Sequence, residues 1–253
     1  MGFTLDAACG SNIGKRRYNN EDNFFFDGMC MEEQNDGTHN PLYMEQPLKQ
    51  AVCLAVFDGM GGENYGETAS FTAACAMKEY VREPKDFYIP ERKYLLKMAS
   101  KLNSAVVDKA HELLTSRMGT TLAALYFTSR YVYCCNVGDS RVFRLRDNVF
   151  TQISEDHVSQ RPMPAGRKAP LTQHLGMDPA EVLLVPYVAK GDIQQGDQYL
   201  ICSDGLTDMV ENVTIADILI NNSDAQNAVL ALTSAAMQNG GKDNITVIVC
   251  HIR

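Results

Sequence analysis

The sequence predicts an α+β fold in four layers, α-β-β-α, with two mainly antiparallel sheets flanked by helix pairs. Three observations lead to this prediction: many short strand-like segments, two helical segments that interrupt them, and two more helical segments before the last strand. This order fits sheets covered by helices on their outer faces better than strictly alternating parallel units. We expect one domain over residues 1–253, since layered sheet folds of this length commonly do not split.

Eight segments are predicted to be strands because they are rich in Val, Ile, Thr, Phe and Tyr and are bounded by Gly, Asp or Asn. They are residues 3–9, 23–30, 51–57, 120–128, 131–137, 142–145, 198–202 and 245–252. The polar segment 27–50 predicts a hairpin with a long tip. Residues 159–170, with three prolines and three basic residues, predict an irregular stretch.

Two helical pairs separate these strands. The first contains a helix over 67–81 and a second helix with an apolar stripe at three- and four-residue steps. The stripe is formed by Leu95, Ala99, Leu102, Val106, Ala110 and Leu113. In the second pair, Thr214 with Asp217 and Ser223 with Gln226 resemble capping boxes that begin two helices.

Composition excludes several classes of function. A formal net charge of -8 argues against a nucleic-acid binder, since phosphate backbones are held by concentrated Lys and Arg. Neither a signal segment nor an apolar run of membrane-spanning length is present in the sequence, so we expect no membrane association and a cytoplasmic location. Six of the eight cysteines are dispersed and most of these lie in apolar runs, and no CxxC pair occurs, which favours a reducing compartment and no structural zinc.

Acidic residues stand where the predicted strands begin or end. They are Glu21 and Asp22, Asp58, Asp139, Asp204 and Asp243. Asp-Gly is a common turn dipeptide, so each position alone is also explained by a solvated turn. Their recurrence at five strand ends indicates a cation site, because carboxylates are the ligands that hard divalent ions prefer.

Six motifs, in order, resemble those of the PPM or PP2C-type metal-dependent protein serine/threonine phosphatases, and of the bacterial members in particular. They are Arg17-Tyr18-Asn19-Asn20-Glu21-Asp22-Asn23, Val56-Phe57-Asp58-Gly59-Met60-Gly61-Gly62, Gly119-Thr120-Thr121, Val137-Gly138-Asp139-Ser140-Arg141, Ser203-Asp204-Gly205-Leu206-Thr207-Asp208 and Lys242-Asp243-Asn244-Ile245-Thr246. The resemblance covers nearly the whole chain. It implies a β-sandwich flanked by helix pairs, with two to three Mn²⁺ or Mg²⁺ ions in a channel at one edge.

The resemblance also implies a role for each matching position. Asp58 would bridge two metals, with the Gly59 carbonyl as a further ligand of one of them. Asp204 and Asp243 would complete the ligands of the other metal. Glu21 and Asp22 would bind or orient metal-bound waters.

The remaining roles concern a third ion and the substrate. Asp139 and Asp208 would hold a third, weaker metal and share Asp204 with the main pair. Arg17 would bind the phosphate group, since a planar guanidinium offers two parallel donors. The implied reaction is hydrolysis of phosphoserine and phosphothreonine in proteins by a metal-activated water. The substrates would be targets of a serine/threonine kinase, and we expect a monomer.

Two features depart from the commoner family pattern. Met60 stands where many eukaryotic members carry histidine, which leaves water as the acid for the leaving alkoxide. The segment from Asp156 and His157 to Leu175 is shorter than the usual flap, and His157, without an identified partner, is interpreted as structural.

Other functions are compatible with parts of the sequence. Residues from Cys135 to Arg141 also fit the Cys-x5-Arg loop of cysteine-dependent tyrosine phosphatases, although Cys135 falls within a predicted strand. A catalytically inactive family member that serves as a binding module is the second alternative. The glycines between Gly59 and Gly66 fit neither nucleotide-binding motif.

Overall fold

The structure, a computed structural model, describes residues 2–60, 65–83, 85, 88–164 and 168–253. The strands are β1 (Thr4–Asn12), β2 (Asp22–Phe25), β3 (Leu42–Pro47), β4 (Val52–Met60), β5 (Gly119–Thr120), β6 (Leu122–Phe127), β7 (Tyr131–Val137), β8 (Arg141–Arg146), β9 (Val149–Gln152), β10 (Tyr187–Asp192), β11 (Gln198–Cys202) and β12 (Ile245–Ile252). The helices are α1 (Gly66–Arg82), α2 (Glu91–Glu112), α3 (Asp204–Thr207), α4 (Asn212–Asn221) and α5 (Ala225–Gln238).

The strands form two antiparallel sheets. The first sheet has the order β3-β1-β12-β11-β8-β9, and the second has the order β10-β7-β6-β4-β2 with β5 paired to β4. The central strands β1 and β12 pair along their whole length, from Leu5 opposite Ile252 to Asn12 opposite Ile245. The first and last strands of the chain therefore lie side by side in the middle of one sheet.

Side chains alternate between the two faces of each strand, and this alternation divides the interior into three apolar layers. In β1, Leu5, Ala7 and Cys9 pack between the two sheets, whereas Ala8 faces the opposite side. The second sheet packs its outer face on α1 and α2, and the first sheet packs its outer face on α3, α4 and α5. This is the predicted four-layer α+β sandwich, and the fold prediction is confirmed.

The helical periodicity of the sequence corresponds to burial in the structure. Leu95, Ala99, Leu102 and Val106 are fully buried on one side of α2, where they meet the second sheet. Along α1, the buried face consists mainly of small residues, among them Ala69, Ala73 and Ala74. Small side chains allow this helix to lie close to the sheet beneath it.

Three strands, β3, β9 and β10, are absent from the sequence prediction. Each is the outermost strand of its sheet. An edge strand buries less of its surface, so its residues are not strongly apolar: β10 contains Lys190, Gly191 and Asp192, and β3 ends at Pro47. The apolar pattern that identifies central strands is therefore weak in them.

The predicted hairpin over residues 27–50 is wrong. The chain turns tightly at Asp27 and Gly28, both with positive φ, and Phe26 and Met29 pair across this turn. It then crosses to the other sheet, where β3 pairs with β1 rather than with β2. The predicted strand 23–30 accordingly ends at Phe25.

The two predicted capping boxes are also wrong. Helix α4 begins earlier, after Glu211, so Thr214 lies within its first turn. Helix α5 is capped by Asp224, whose side chain accepts a hydrogen bond from the Asn227 backbone N at 2.8 Å. Ser223 precedes this cap by one residue. Across the described ranges, no helix is long and apolar enough to cross a membrane.

Candidate active site

A cleft of about 540 Å³ opens at one end of the sandwich, where loops from both sheets meet. Its lining is formed by Arg16, Arg17, Tyr18, Asn19, Glu21, Asp58, Gly59, Met60, Lys168, Asp204 and Asp243. We call this space the central cleft. Six of the predicted site residues therefore lie around one cavity, although they are separated by up to 226 positions between Arg17 and Asp243.

Asp58 lies near the end of β4 in a position fixed by its backbone. The Thr121 Oγ1 accepts a hydrogen bond from the Asp58 N at 3.0 Å, and the Thr120 Oγ1 donates one to the Asp58 O at 2.9 Å. Both threonines belong to the Gly119-Thr120-Thr121 motif, whose role is not evident from the sequence. Their hydroxyls fix the strand end from which the Asp58 carboxylate projects.

Asp22 lies behind the wall of the central cleft and is only 1% exposed. The Ser203 Oγ donates a hydrogen bond of 2.7 Å to the Asp22 Oδ2 and accepts one of 3.0 Å from the Thr246 N. Ser203 thereby joins β2 in one sheet to β12 in the other. Burial is the main cause that raises the pKa of Asp22 to about 7.

Burial and neighbouring negative charges raise the pKa values of Asp58 and Asp204 in the cleft. The pKa of Asp58 lies well above its usual value, first because of burial and then because of the charges of Asp204 and Asp22. Burial also raises the pKa of Asp204. Negative charge at this end of the sandwich thus exceeds what the surrounding positive side chains neutralise, which is the electrostatic condition for binding cations.

Arg17 extends over this negative charge from the loop between β1 and β2. Its Nη2 lies 2.8 Å from the Asp243 Oδ2, and its Nη1 lies 3.5 Å from the Glu21 Oε2. The hydrogen bond to Asp243 is the first cause that raises the pKa of Arg17. Because its side chain is 42% exposed and lines the cleft, part of the guanidinium is accessible to solvent.

Asn244 positions the loop that carries Arg17 and Glu21. Its Oδ1 accepts a hydrogen bond from the Glu21 N at 2.8 Å, and its Nδ2 donates to the Ile13 O at 2.9 Å and the Asn19 O at 3.0 Å. Asn244 occurs in one of the six motifs, but spacing alone gives no sign of these contacts.

Two glycines of the Asp-Gly motifs are required by close packing of the backbone. A Cβ at Gly59 would lie 2.1 Å from the Gly66 carbonyl oxygen, and a Cβ at Gly205 would lie 1.9 Å from the Asn244 carbonyl oxygen. Neither glycine has a positive φ. The alternative that these pairs mark solvated turns is therefore wrong, because β4 continues through Gly59 and α3 begins at Asp204.

A second group of carboxylates lies beside the central cleft. Asp139, Asp204 and Asp208 surround a cavity of about 160 Å³, and we call them the outer acidic cluster. Burial, followed by the charge of Asp204, raises the pKa of Asp139 to about 6. The Lys168 Nζ forms ion pairs with both Asp204 and Asp208. Sequence analysis missed Lys168, since a lysine in an irregular loop carries no distinguishing pattern.

His157 has the structural role that the sequence predicts. Its Nδ1 accepts a hydrogen bond from the Gly138 N at 3.1 Å, and its own backbone N donates to the Gly138 O at 2.9 Å. Burial lowers the pKa of His157, which favours the neutral ring that this contact requires. The pair fixes Gly138, at a φ of 103°, directly before Asp139.

The cysteine-dependent alternative is contradicted. Cys135 is fully buried within β7, and burial raises the pKa of its thiol to about 12. Arg141 binds Asp156 with its Nε and Nη2 at 2.9 and 2.6 Å, rather than turning toward Cys135. A thiolate nucleophile with an arginine beside it does not form here.

Part of the predicted site is outside the described residues. Gly61 and Gly62 of the turn after Met60, and residues 165–167 of the irregular stretch, belong to this part. Among the residues that are described, no three His, Cys, Asp or Glu side chains form a preassembled ligand set for one ion.

Comparison with known proteins identifies the family. A family model described as protein phosphatase 2C matches residues 42–232. The serine/threonine phosphatase stp of Listeria welshimeri is 30% identical over 97% of this chain and 95% of that protein. The chain therefore belongs to the protein phosphatase 2C family.

Solved structures agree with this family. The serine/threonine phosphatase PstP/Ppp of Mycobacterium tuberculosis has a TM-score of 0.77 and 28% identity, with 98% of each chain covered. A catalytic domain of the serine/threonine protein phosphatase PstP, solved in complex with two manganese ions, has a TM-score of 0.76 and 26% identity, with 99% of each chain covered.

Proposed function

We propose that this chain hydrolyses phosphoserine and phosphothreonine in proteins, with Mn²⁺ or Mg²⁺ as its cofactor. One observation carries the proposal: carboxylates from both sheets line a single cleft together with the cavity-facing Arg17. Membership of the protein phosphatase 2C family supports the reaction class. Two manganese ions in the PstP catalytic domain support the cofactor.

The residues present fit a pair of hard divalent ions. Asp58 and the Gly59 carbonyl would hold ions at the centre, and Asp204 and Asp243 would bind from the opposite side of the cleft. Burial and then the neighbouring carboxylate charges raise the pKa of Asp58, and bound cations would offset the repulsion between these charges. Because side chains alone form no complete ligand set in the described residues, water would supply the remaining ligands, as is usual for Mg²⁺ and Mn²⁺.

Each of the other polar groups would have a definite task. When bound, divalent ions would lower the pKa of a coordinated water and so supply the nucleophile. Arg17 would donate two parallel hydrogen bonds to the phosphate oxygens, with Asp243 and Glu21 holding its guanidinium in place. Glu21 and Asp22 would accept hydrogen bonds from waters around the ions. No covalent phosphoenzyme is needed.

The leaving alkoxide would take its proton from water. The described lining of the central cleft contains no histidine, and the Met60 thioether has no proton to donate. Asp139 and Asp208 of the outer acidic cluster would hold a third, weaker ion, with Asp204 shared between the two groups. We further propose that the substrates are targets of serine/threonine kinases in the cytoplasm, and that the chain acts there as a monomer.

Phosphate release from a phosphothreonine peptide tests this function. We expect release with Mn²⁺ present, none with EDTA, and recovery when Mn²⁺ is restored. Asp204→Asn should abolish release, whereas Asp147→Asn, in the exposed β8–β9 turn, should retain it. Release that survives EDTA would contradict the proposal. Tight Mn²⁺ binding without any phosphate release would favour the alternative of an inactive binding module.

A further inference from the structure

Lys168 occupies the position in the outer acidic cluster where a cation is expected. Its Nζ contacts the Oδ2 atoms of Asp204 and Asp208 at the same time. It also lines both the central cleft and the smaller cavity beside it. A single ammonium thus stands between two carboxylates that the proposed function assigns to a third metal ion.

The backbone near Lys168 restricts how far this ammonium can move. The Ser159 N donates a hydrogen bond of 2.9 Å to the Pro170 O, and the Thr172 N donates one of 2.8 Å to the His157 O. These bonds close the base of the loop only two residues after Lys168. The lysine is therefore held close to the cluster and returns to it at a high effective concentration.

Lys168 offsets part of the negative charge of Asp204 and Asp208 through its ion pairs with both. Within the described ranges, Lys168 is the one cation that forms an ion pair with Asp204 or Asp208. At 55% exposure, the lysine side chain keeps a path to solvent and can leave without unfolding its surroundings.

We propose that Lys168 is the chain's own cation at the outer acidic cluster and competes there with a third divalent ion. The inference rests on the proposed function, because it concerns the ligands of the same metal centre. The Lys168 ammonium contacts the Oδ2 atoms of Asp204 and Asp208. A metal ion bound to the same two carboxylates would need the space that the ammonium fills, so only one of them can be there at a time. The chain therefore holds two ions while the lysine is in place, and binds a third when the lysine withdraws.

Competition of this kind lowers the binding affinity of the third ion by a predictable factor. The apparent dissociation constant equals the intrinsic one divided by the fraction of molecules in which the lysine is absent. If Lys168 fills the cluster in nine molecules of ten, its removal should strengthen the third ion by about tenfold.

Mn²⁺ binding to the full chain, measured by calorimetry and by electron paramagnetic resonance, tests the inference without reference to turnover. Lys168→Met keeps the length of the side chain and removes the charge. Lys49→Met makes the same change in net charge at an exposed turn and serves as the control. We expect two tight ions in the wild type and the control, and a third ion in Lys168→Met bound at least about tenfold more tightly than in the wild type.

A double variant locates the additional ion. Asp208→Asn combined with Lys168→Met should lose the gained binding, because the ion then lacks one of its carboxylates. Thermal unfolding would first establish that the wild type and Lys168→Met are both folded. Identical Mn²⁺ isotherms for these two proteins would then overturn the inference and leave the proposed two-ion centre intact. Failure of the wild type to bind any Mn²⁺ would overturn the proposed function and this inference together.

Discussion

Asp22 and Asp58 lie directly opposite each other on the neighbouring antiparallel strands β2 and β4. Residues paired in this way project from the same face of a sheet, so the pairing itself brings two carboxylates together. Burial and the neighbouring charges raise the pKa of both residues. The proposed metal site thus depends on the register between β2 and β4.

Asp58→Asn should abolish phosphate release while the protein remains folded. The amide keeps the shape of the side chain but loses the charge that would bridge the ions. We expect kcat to fall by more than about a hundredfold, since changes to outer partners of metal ligands alone commonly cost 10- to 100-fold. Phosphopeptide turnover with Mn²⁺ and thermal unfolding with EDTA measure the two effects. Near-normal turnover would contradict the assigned ligand.

The stability of the metal-free protein should decrease as the pH rises. The folded-state pKa of Asp22 is raised to about 7 from an ordinary value of 3.8, so its contribution to stability is complete below the lower value and is lost as pH rises through the higher one. Between pH 6 and pH 8 we expect a loss of about 1 kcal/mol in the free energy of unfolding from Asp22.

Urea unfolding in EDTA measures this effect, and Asp22→Asn should reduce the difference. Excess Mn²⁺ should reverse the trend, because bound ions replace protons on the carboxylates. A metal-free protein that gained stability from pH 6 to pH 8 would contradict the charge crowding at this site.

Arg17→Ala should lower kcat/KM for a phosphopeptide by about tenfold to a hundredfold, which corresponds to the loss of charge-assisted hydrogen bonds. Arg17→Lys should recover only part of this loss, since an ammonium cannot supply two parallel donors. Lys15→Ala is the matched control, because Lys15 is exposed and does not line the central cleft. Equal losses for Arg17→Ala and Lys15→Ala would indicate a general effect of charge.

Substitution of Cys135 should leave catalysis intact. Cys135→Ala removes the thiol from the interior of β7 without adding a buried hydroxyl, so we expect turnover within about threefold of the wild type and a small loss of stability. EDTA should still abolish turnover. Activity that disappears with the thiol in a folded variant, measured beside the Cys134→Ala control, would restore the cysteine-dependent alternative.

Gly205→Ala should destabilise the fold and weaken metal binding together. The new methyl group would collide with the Asn244 carbonyl oxygen, and relieving this contact should cost about 2 kcal/mol or more. Gly191→Ala is the control, since its Cβ would meet only the Val132 side chain at 3.8 Å. Urea unfolding measures the free energy of unfolding of both variants. Equal values for Gly205→Ala and Gly191→Ala would show that the loop moves away from the new methyl group without a cost in stability.

The sequence predicts those parts of the fold in which burial repeats regularly. The stripe from Leu95 to Leu113 and the long apolar runs of β4 and β12 give the helices and central strands, and hence the layers. Edge strands and helix caps are less predictable. At Asp224, for example, the side chain caps α5, although the adjacent Ser223 is a residue type that also caps helices.

The candidate site divides in the same way. Motifs identify Asp58, Asp204 and Asp243, and the structure brings these residues to one cleft, but their metal-binding roles remain predictions. Residues that act by contact rather than by motif have no signal in the sequence. Lys168 belongs to this class, because its contacts with Asp204 and Asp208 arise only when distant segments meet.

The hydrogen bond from Ser203 to Asp22 crosses from one sheet to the other and connects residues 181 positions apart. A partly folded chain with only one sheet formed would have half of the carboxylates and no cleft. Enzymatic turnover should therefore return during refolding only after the two sheets dock, later than the recovery of strand and helix signals. The time course of phosphate release during refolding would then report the rate at which the two sheets dock.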